Sequence, residues 1–227
     1  MSEASTAKRR RVRPPSDRAL EREQEIYEVA AEIFHRKGYA ATTLQDIADA
    51  VGLLKGSLYY YIDTKEDLLY RISHTIHEGA RMNLEVARTA GGTPIGQLRT
   101  LLEGHVMAFG QRMSWIRVFY TEHNSLSPER RREIMATRRS YERFVDEVIA
   151  AGQADGSLCP DLDRRIVGNA LLTAVNSVYL WYRPGIDAPI EVVAKTYSEL
   201  LLNGLRCPAE HVHVPAGQPR GRRRRAG

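Results

Sequence analysis

The sequence predicts an all-α protein of about nine helices, and three observations carry that prediction. Apolar residues recur at three- and four-residue spacing, no stretch shows the strict alternation of a half-buried strand, and helix start and stop residues punctuate the chain at intervals. With 227 residues, 43% of them hydrophobic, the chain is long enough for one large or two small domains with a real core. The body contains no internal repeat and no low-complexity segment.

The elements follow in order. Pro14-Pro15 separates a basic arm from a first helix capped by Ser16 or Asp17 and running to Lys37. Thr42 and Thr43 supply hydroxyls that accept a hydrogen bond from the open amides of a second helix, in which Leu44, Ile47, Ala48 and Val51 keep helical spacing. Gly52 can take a positive φ and so ends that helix in a sharp turn. A third helix is expected from near Leu54 through Tyr60, with Leu58 as its one core-facing residue. Thr64 caps a long fourth helix from Lys65 to about Ala90, stopped by Gly91-Gly92.

Thr93-Pro94 opens the next helix, through Leu98, Leu101, Leu102, Val106 and Phe109, and Ser114 opens a separate segment with Trp115, Ile116, Phe119 and Tyr120. Ser127-Pro128-Glu129 is a cap with proline at the first helical position, and its helix reaches Ala154 before Gly156. Asp161 starts a further helix to Tyr182, and Pro189 starts the last, which ends by Gly204. The domain boundaries read from this pattern are a disordered basic arm at 1–16, a first helical domain at 17–66, a second, larger helical domain at 67–206 and a disordered basic tail at 207–227.

The stretch from Thr42 to Leu69 is the most informative, because a short helix, a tight turn and a second short helix ending in three tyrosines suit a DNA major groove. Glycine inside a helix costs roughly 1 kcal/mol against alanine, so Gly56 calls for a reason, such as close approach of its backbone to a phosphodiester. Ser57 can reach a base edge or a phosphate, Lys55 a phosphate or a guanine, and the hydroxyls of Tyr59 and Tyr60 phosphates. Lys65 and the amides at the start of the fourth helix suit a phosphate as well.

These residues resemble the DNA-binding domain of the TetR family of transcriptional regulators. The match spans roughly residues 20 to 70 and includes Ala30, Phe34, Gly38, Tyr39, Thr42, Thr43, Ile47, Ala48, Gly52, Lys55, Gly56, Leu58, Tyr59, Lys65, Glu66 and Leu68. Leu54 departs from it where a small or hydroxyl residue is common, and Tyr61-Ile62 replaces a frequent His-Phe. The resemblance implies a helix-turn-helix with Thr42, Thr43, Gln45, Leu54, Lys55, Gly56, Ser57, Tyr59, Tyr60 and Lys65 at operator DNA.

Charge is unevenly distributed. The net charge is +5 overall, but five basic residues between Lys8 and Arg13 and five more between Arg220 and Arg225 leave the body negative. Residues 18 to 66 hold six basic and nine acidic side chains. Phosphate attraction therefore rests on a few placed contacts and on the arms, of which the N-terminal one leads directly into the first helix. No apolar run approaches the roughly 20 residues needed to span a bilayer, and no signal peptide is apparent, so a cytoplasmic location is expected. Cys159 and Cys207 are far apart in sequence and suggest neither a disulfide framework nor a zinc site; reduced thiols are expected.

The segment from Gly156 to Gly204, with Asp161-Leu162-Asp163, Asn176 and Trp181-Tyr182-Arg183-Pro184, is similar to the C-terminal half of TetR regulators that respond to acyl-CoA thioesters. That likeness implies an acyl-CoA effector and a homodimer. The last two helices are apolar around much of their circumference, with Ile166, Val167, Leu171, Leu172, Val175, Val178, Tyr179 and Leu180 on one and Val192, Val193, Tyr197, Leu200, Leu201 and Leu205 on the other, and suit a four-helix interface between two copies. Trp115, Phe119, Tyr120, Tyr141, Asn176 and Tyr179 are the candidate ligand-cavity residues. Asn176 stands out, because a buried amide needs a partner that a ligand can supply.

His74 and His77 share one helix face without a third ligand and read as a solvated or polar pair. No metal site, resident cofactor or catalytic motif is expected. The reading is a ligand-responsive repressor, not an enzyme. Its rival is a helical enzyme or small-molecule binding protein whose N-terminal domain does not bind DNA.

Overall fold

The computed structural model describes residues 17–207, all-α and without strands among those residues. The expectations placed on the basic arm, on Ser16 and on the tail beyond Cys207 lie outside them. The chain forms two compact units, Met1–Leu68 and Leu69–Gly227, with the division falling inside a helix.

The N-terminal unit contains α1 (Asp17–Lys37), α2 (Leu44–Ala50), α3 (Lys55–Leu58) and the first turn of α4 (Lys65–Thr89). Ile26, Ala30, Phe34, Ile47, Ala48 and Leu58 form its buried centre. Thr43 caps α2: its hydroxyl accepts from Asp46 N–H at 3.1 Å, and the Asp46 carboxylate accepts from Thr43 N–H at 2.7 Å. Lys37 sits 2.8 Å from the same carboxylate, and its hydrogen bond, with those of Thr43, pulls the Asp46 pKa down to about 2. Gly52, at φ +67°, turns the chain while Leu53 N–H closes onto Ala48 C=O at 2.8 Å. Leu58, 1% exposed, pins α3 to this centre; truncating such a leucine to alanine costs roughly 2 to 5 kcal/mol.

The third helix is shorter than the sequence suggests. Tyr60 N–H bonds back to Ser57 C=O and Tyr61 N–H to Leu58 C=O, so the tyrosines follow as a tightened turn.

In the C-terminal unit α4 continues to Thr89, followed by α5 (Pro94–Glu122), a short 3-10 turn (His123–Ser125), α6 (Pro128–Ala154), α7 (Arg164–Asn176), α8 (Val178–Trp181) and α9 (Ile190–Asn203). The helix α5 is central and packs against α6, α7, α8 and α9. The two segments expected here meet at a break at Arg112, whose φ −142° and ψ 47° leave the helical region while its guanidinium covers the Trp115 ring at 4.7 Å. Conversely, the single helix expected to start at Asp161 and run to Tyr182 starts at Arg164, capped by Asp163, and breaks at Ser177. The Ser177 hydroxyl donates to Ala174 C=O at 2.7 Å, competing with the helical ladder. Arg117 closes the far end by donating to the carbonyls of Tyr179 (3.1 Å) and Tyr182 (2.8 Å).

Gly104 is required by packing, since a Cβ there would meet the Asn83 carboxamide oxygen at 1.9 Å. The Asn83 amide is itself held, donating to Leu101 C=O and to the Tyr141 hydroxyl, both at 2.9 Å. Among the described residues, no helix is long and apolar enough to cross a membrane.

Candidate nucleic-acid interface and ligand cavity

The surface of α2 and α3 separates into core-facing and outward residues as helical spacing requires. Leu54, Lys55, Gly56, Ser57, Tyr59 and Tyr60 are exposed, Leu54 and Tyr60 at 81% each, with Leu58 the buried exception. Gly56 is informative. Its φ is not positive, and a Cβ built on it meets nothing within 4 Å. Neither backbone conformation nor internal packing therefore explains a glycine in the middle of a short helix. Tyr60 rests edge-on against Tyr61 with centroids 5.1 Å apart. Gln45 is exposed on α2 and donates to Asp49 at 2.6 Å, while the Thr43 hydroxyl is engaged in its cap.

Two of the residues expected at DNA are committed elsewhere. Thr42 is buried, and its hydroxyl donates to Gly38 C=O at 2.8 Å, closing the turn after α1. Lys65 directs its ammonium at three backbone carbonyls, Tyr39 at 2.7 Å, Thr42 at 2.8 Å and Ala40 at 3.3 Å, and lies 4.4 Å above the Tyr39 ring. An ammonium has three protons to donate. With each aimed at a carbonyl, Lys65 ties down the loop between α1 and α2 and is not a charge held out for a phosphate.

The C-terminal unit contains a cavity of about 210 Å³ whose walls include Phe119, Tyr120, Tyr141, Asn176, His77 and His105. Asn176 is its polar centre. His105 Nε2–H donates to Asn176 Oδ1 at 2.8 Å and the Tyr120 hydroxyl donates to the same oxygen at 2.6 Å. With both donors on its carbonyl, the amide Nδ2 is the polar group that Asn176 has left to offer. Tyr120 stacks flat on Tyr179 with centroids 4.3 Å apart, so Tyr179 buttresses the cavity from behind and does not line it. Trp115 is also outside the lining: it lies one turn before Phe119, buried beneath Arg112. Tyr141 contributes ring and little else, because its hydroxyl donates to Ala80 C=O at 3.0 Å and accepts from Asn83.

The histidines correct the sequence reading. Of the solvated or polar pair expected at His74 and His77, His77 is partly buried: burial lowers its pKa, its Nδ1 lies 2.8 Å from Ser73 C=O, and its ring meets Phe119 edge-on at 4.6 Å. His105 is half-buried with its ring facing inward, and burial pushes its pKa down to about 4, against the opposing effect of Asn176. No spacing pattern marks His77 and His105 as cavity residues: His77 shares α4 with His74, and His105 is the one histidine of α5. Among the described residues, no group of three or more His, Cys, Asp or Glu could hold a metal ion.

His105 gives a pH prediction. Its native pKa lies below the ordinary value, so it stays neutral where the unfolded chain takes a proton, and stability is full above about pH 6.5 and falls as pH drops toward 4. Between pH 7 and 5 this site should cost on the order of 2 kcal/mol. Urea unfolding at both pH values should show the loss, and His105→Gln should flatten it. An equal slope in that variant would remove His105 as its source.

A wider groove of about 760 Å³ runs between α6 and α7, lined by Arg139, Arg143, Arg164 and Arg165 together with Glu142, Asp146 and Glu147. It shares Glu142, Asn169 and Leu172 with the cavity, so the two recesses are adjacent. Asp146 engages Arg164 at 3.5 Å, and Glu142 engages Arg138 at 2.9 Å.

Comparison with known proteins gives a consistent answer. Residues 26–72 match the family described as bacterial regulatory proteins, tetR family, and residues 91–205 match the tetracyclin repressor-like C-terminal domain. The chain is 29% identical over 188 residues to the HTH-type transcriptional repressor KstR2 of Rhodococcus jostii, covering 82% of this chain and 92% of that one. The structure of the ketosteroid transcriptional regulator KstR2 of Mycobacterium tuberculosis superposes with a TM-score of 0.78 at 26% identity, over 82% of this chain and 96% of the other. That of AibR in complex with isovaleryl coenzyme A and operator DNA superposes with a TM-score of 0.70 at 25% identity, over 80% and 98%.

Proposed function

We propose, since this chain belongs to the TetR family of bacterial transcriptional regulators, that it is a homodimeric repressor released from a palindromic operator by an acyl-CoA thioester. It would act in the cytoplasm, without an enzymatic step of its own. The observation that carries the DNA-binding half is the outward face of Leu54 to Tyr60, in which only Leu58 is spent on the core and Gly56 is left uncovered. Thr43, Gln45, Leu54, Lys55, Gly56, Ser57, Tyr59 and Tyr60 are the proposed DNA contacts. The domain limits at residues 17–66 and 67–206 and the N-terminal arm along the duplex belong to the same proposal.

Dimerisation is supported by Ile166, Leu180, Ile186, Val192 and Leu200, which are 52% to 72% exposed in the single chain. Two copies joined through α7 and α9 would cover them, and two recognition helices would then meet grooves about 34 Å or a multiple apart.

The effector reading rests on the adjacency of the two recesses. A thioester would place its acyl group against Phe119 and Tyr120 and its carbonyl toward Asn176 Nδ2, with its phosphates along the arginines between α6 and α7. The likeness to AibR, solved with isovaleryl coenzyme A, supports this chemistry. At about 210 Å³ the cavity is below the roughly 300 to 1,000 Å³ typical of drug-sized ligands. A short acyl group fits it as it stands; a polycyclic one requires it to widen. Ligand preference for the DNA-free state obliges ligand and DNA to weaken each other reciprocally, with α4 as the covalent connection between the units.

A titration of the protein on duplex DNA, selected by it from a random pool, tests the proposal. Short-chain acyl-CoAs should release the DNA at lower concentration than long-chain or polycyclic ones, and free CoA should release it poorly. Failure of every acyl-CoA at high micromolar concentration would reject this effector class.

A further inference from the structure

Two cysteines 48 positions apart in sequence meet in the C-terminal unit. Cys159, in the loop between α6 and α7, is buried, and its backbone N–H donates to Leu205 C=O at 2.9 Å. That bond holds the chain leaving α9 against the loop. The loop is itself fixed, because the Gln153 amide donates to the carbonyls of Cys159 (3.0 Å) and Leu162 (2.8 Å), and Leu158 N–H donates to Gly152 C=O (2.8 Å). Cys207 follows Leu205 by two residues and is exposed, and the Cys159 side chain is near enough to perturb its thiol. No disulfide joins them.

We propose that Cys159 and Cys207 form a reversible disulfide site, closed by a peroxide, that ties the chain end beyond α9 to the loop preceding α7. Cys207 is the thiol the oxidant reaches. Its sulfur attacks one peroxide oxygen, the O–O bond breaks, and the departing hydroxide takes up a proton to leave as water. The Cys159 sulfur then attacks the resulting sulfenic sulfur: the S–S bond forms, the S–O bond breaks, and hydroxide leaves as a second water with the Cys159 proton. The two thiols together lose two electrons and two protons, and hydrogen peroxide is reduced to two waters.

The crosslink would enclose α7, α8 and α9, the segment that carries Asn176 and the exposed Ile166, Leu180, Val192 and Leu200. Closing a loop of this length restricts the unfolded chain and so favours the folded unit. The Cys159 side chain raises the Cys207 pKa to about 11. Thiolate is therefore scarce at neutral pH, and crosslinking should accelerate roughly tenfold per pH unit on approach to that value. A slow, pH-steepened reaction sets this pair apart from a thiol tuned for rapid signalling.

The test uses the full chain, treated with hydrogen peroxide, unfolded, alkylated with N-ethylmaleimide and weighed intact. The expected product is a monomer lighter by about 2 Da that takes no alkylating group and regains two after dithiothreitol. Its melting temperature should rise by roughly 5 °C or more. Cys207→Ser should retain one alkylatable thiol and show no such rise. Two alkylated thiols after peroxide, oxygen added to Cys207 without a crosslink, or a Cys207-dependent disulfide between two chains would each overturn the proposal.

Discussion

Methionine in place of Lys65 should destabilise the N-terminal unit by roughly 3 kcal/mol, because three charge-assisted hydrogen bonds to backbone carbonyls are lost together. Tyr39, Ala40 and Thr42 would each keep a carbonyl facing a side chain that cannot donate. A loss of that size lowers the melting temperature of so small a unit by on the order of 10 °C or more. Operator affinity should fall with it, through disorder of the loop that enters α2. Arginine should rescue only part of the loss, since a planar guanidinium cannot reproduce three diverging donors. The thermal measurement separates this role from a phosphate contact. A lysine that only met a phosphate would lose DNA affinity on replacement with no change in melting temperature.

Asn176→Leu should abolish effector response while leaving DNA binding by the free protein within about twofold. The leucine removes the acceptor shared by His105 and Tyr120 and leaves two inward-facing donors unpaired, costing on the order of 2 to 4 kcal/mol of stability. Because that loss could obscure a binding defect, Asn176→Asp is the sharper variant. It keeps an oxygen for both donors and replaces the Nδ2 amide by an acceptor. Effector affinity should then drop roughly tenfold to a hundredfold, the worth of one enclosed hydrogen bond turned to repulsion. Isothermal titration with a short-chain acyl-CoA measures it directly, and unchanged affinity in the aspartate variant would place the ligand elsewhere.

Legibility in the sequence followed the range of the interaction. Caps are local, so Thr43 and Thr93 are found where hydroxyl residues precede apolar periodicity. Turn glycines are equally local, and Gly52 and Gly156 adopt the positive φ that ends their helices. Leu58 as the one buried residue of α3 follows from helical spacing alone. What spacing cannot reveal is where a polar atom finds a partner many residues away. Lys65 and Thr42 read as contact residues because their exposed neighbours do, yet both close onto carbonyls of the loop that precedes α2. His105 sits 71 positions from Asn176, and its role exists only once α5 and α7 pack. The break at Ser177 was hidden for a related reason: a serine is neutral in a helical pattern until its hydroxyl takes the carbonyl of Ala174.

The central claim is that the outward face of α3 lies against DNA, and Gly56 tests it most directly because nothing inside the protein needs it to be glycine. The measurement is the affinity of Gly56→Leu for the duplex that the native protein selects, read beside its melting temperature. A side chain there meets open space and improves helix propensity, so stability should hold or rise by up to about 1 kcal/mol. If the α3 backbone approaches a phosphodiester, affinity should fall at least tenfold in the same sample, a loss of about 1.4 kcal/mol or more. A variant that is equally stable and binds the duplex as tightly as the native protein would contradict the assignment of this surface to DNA.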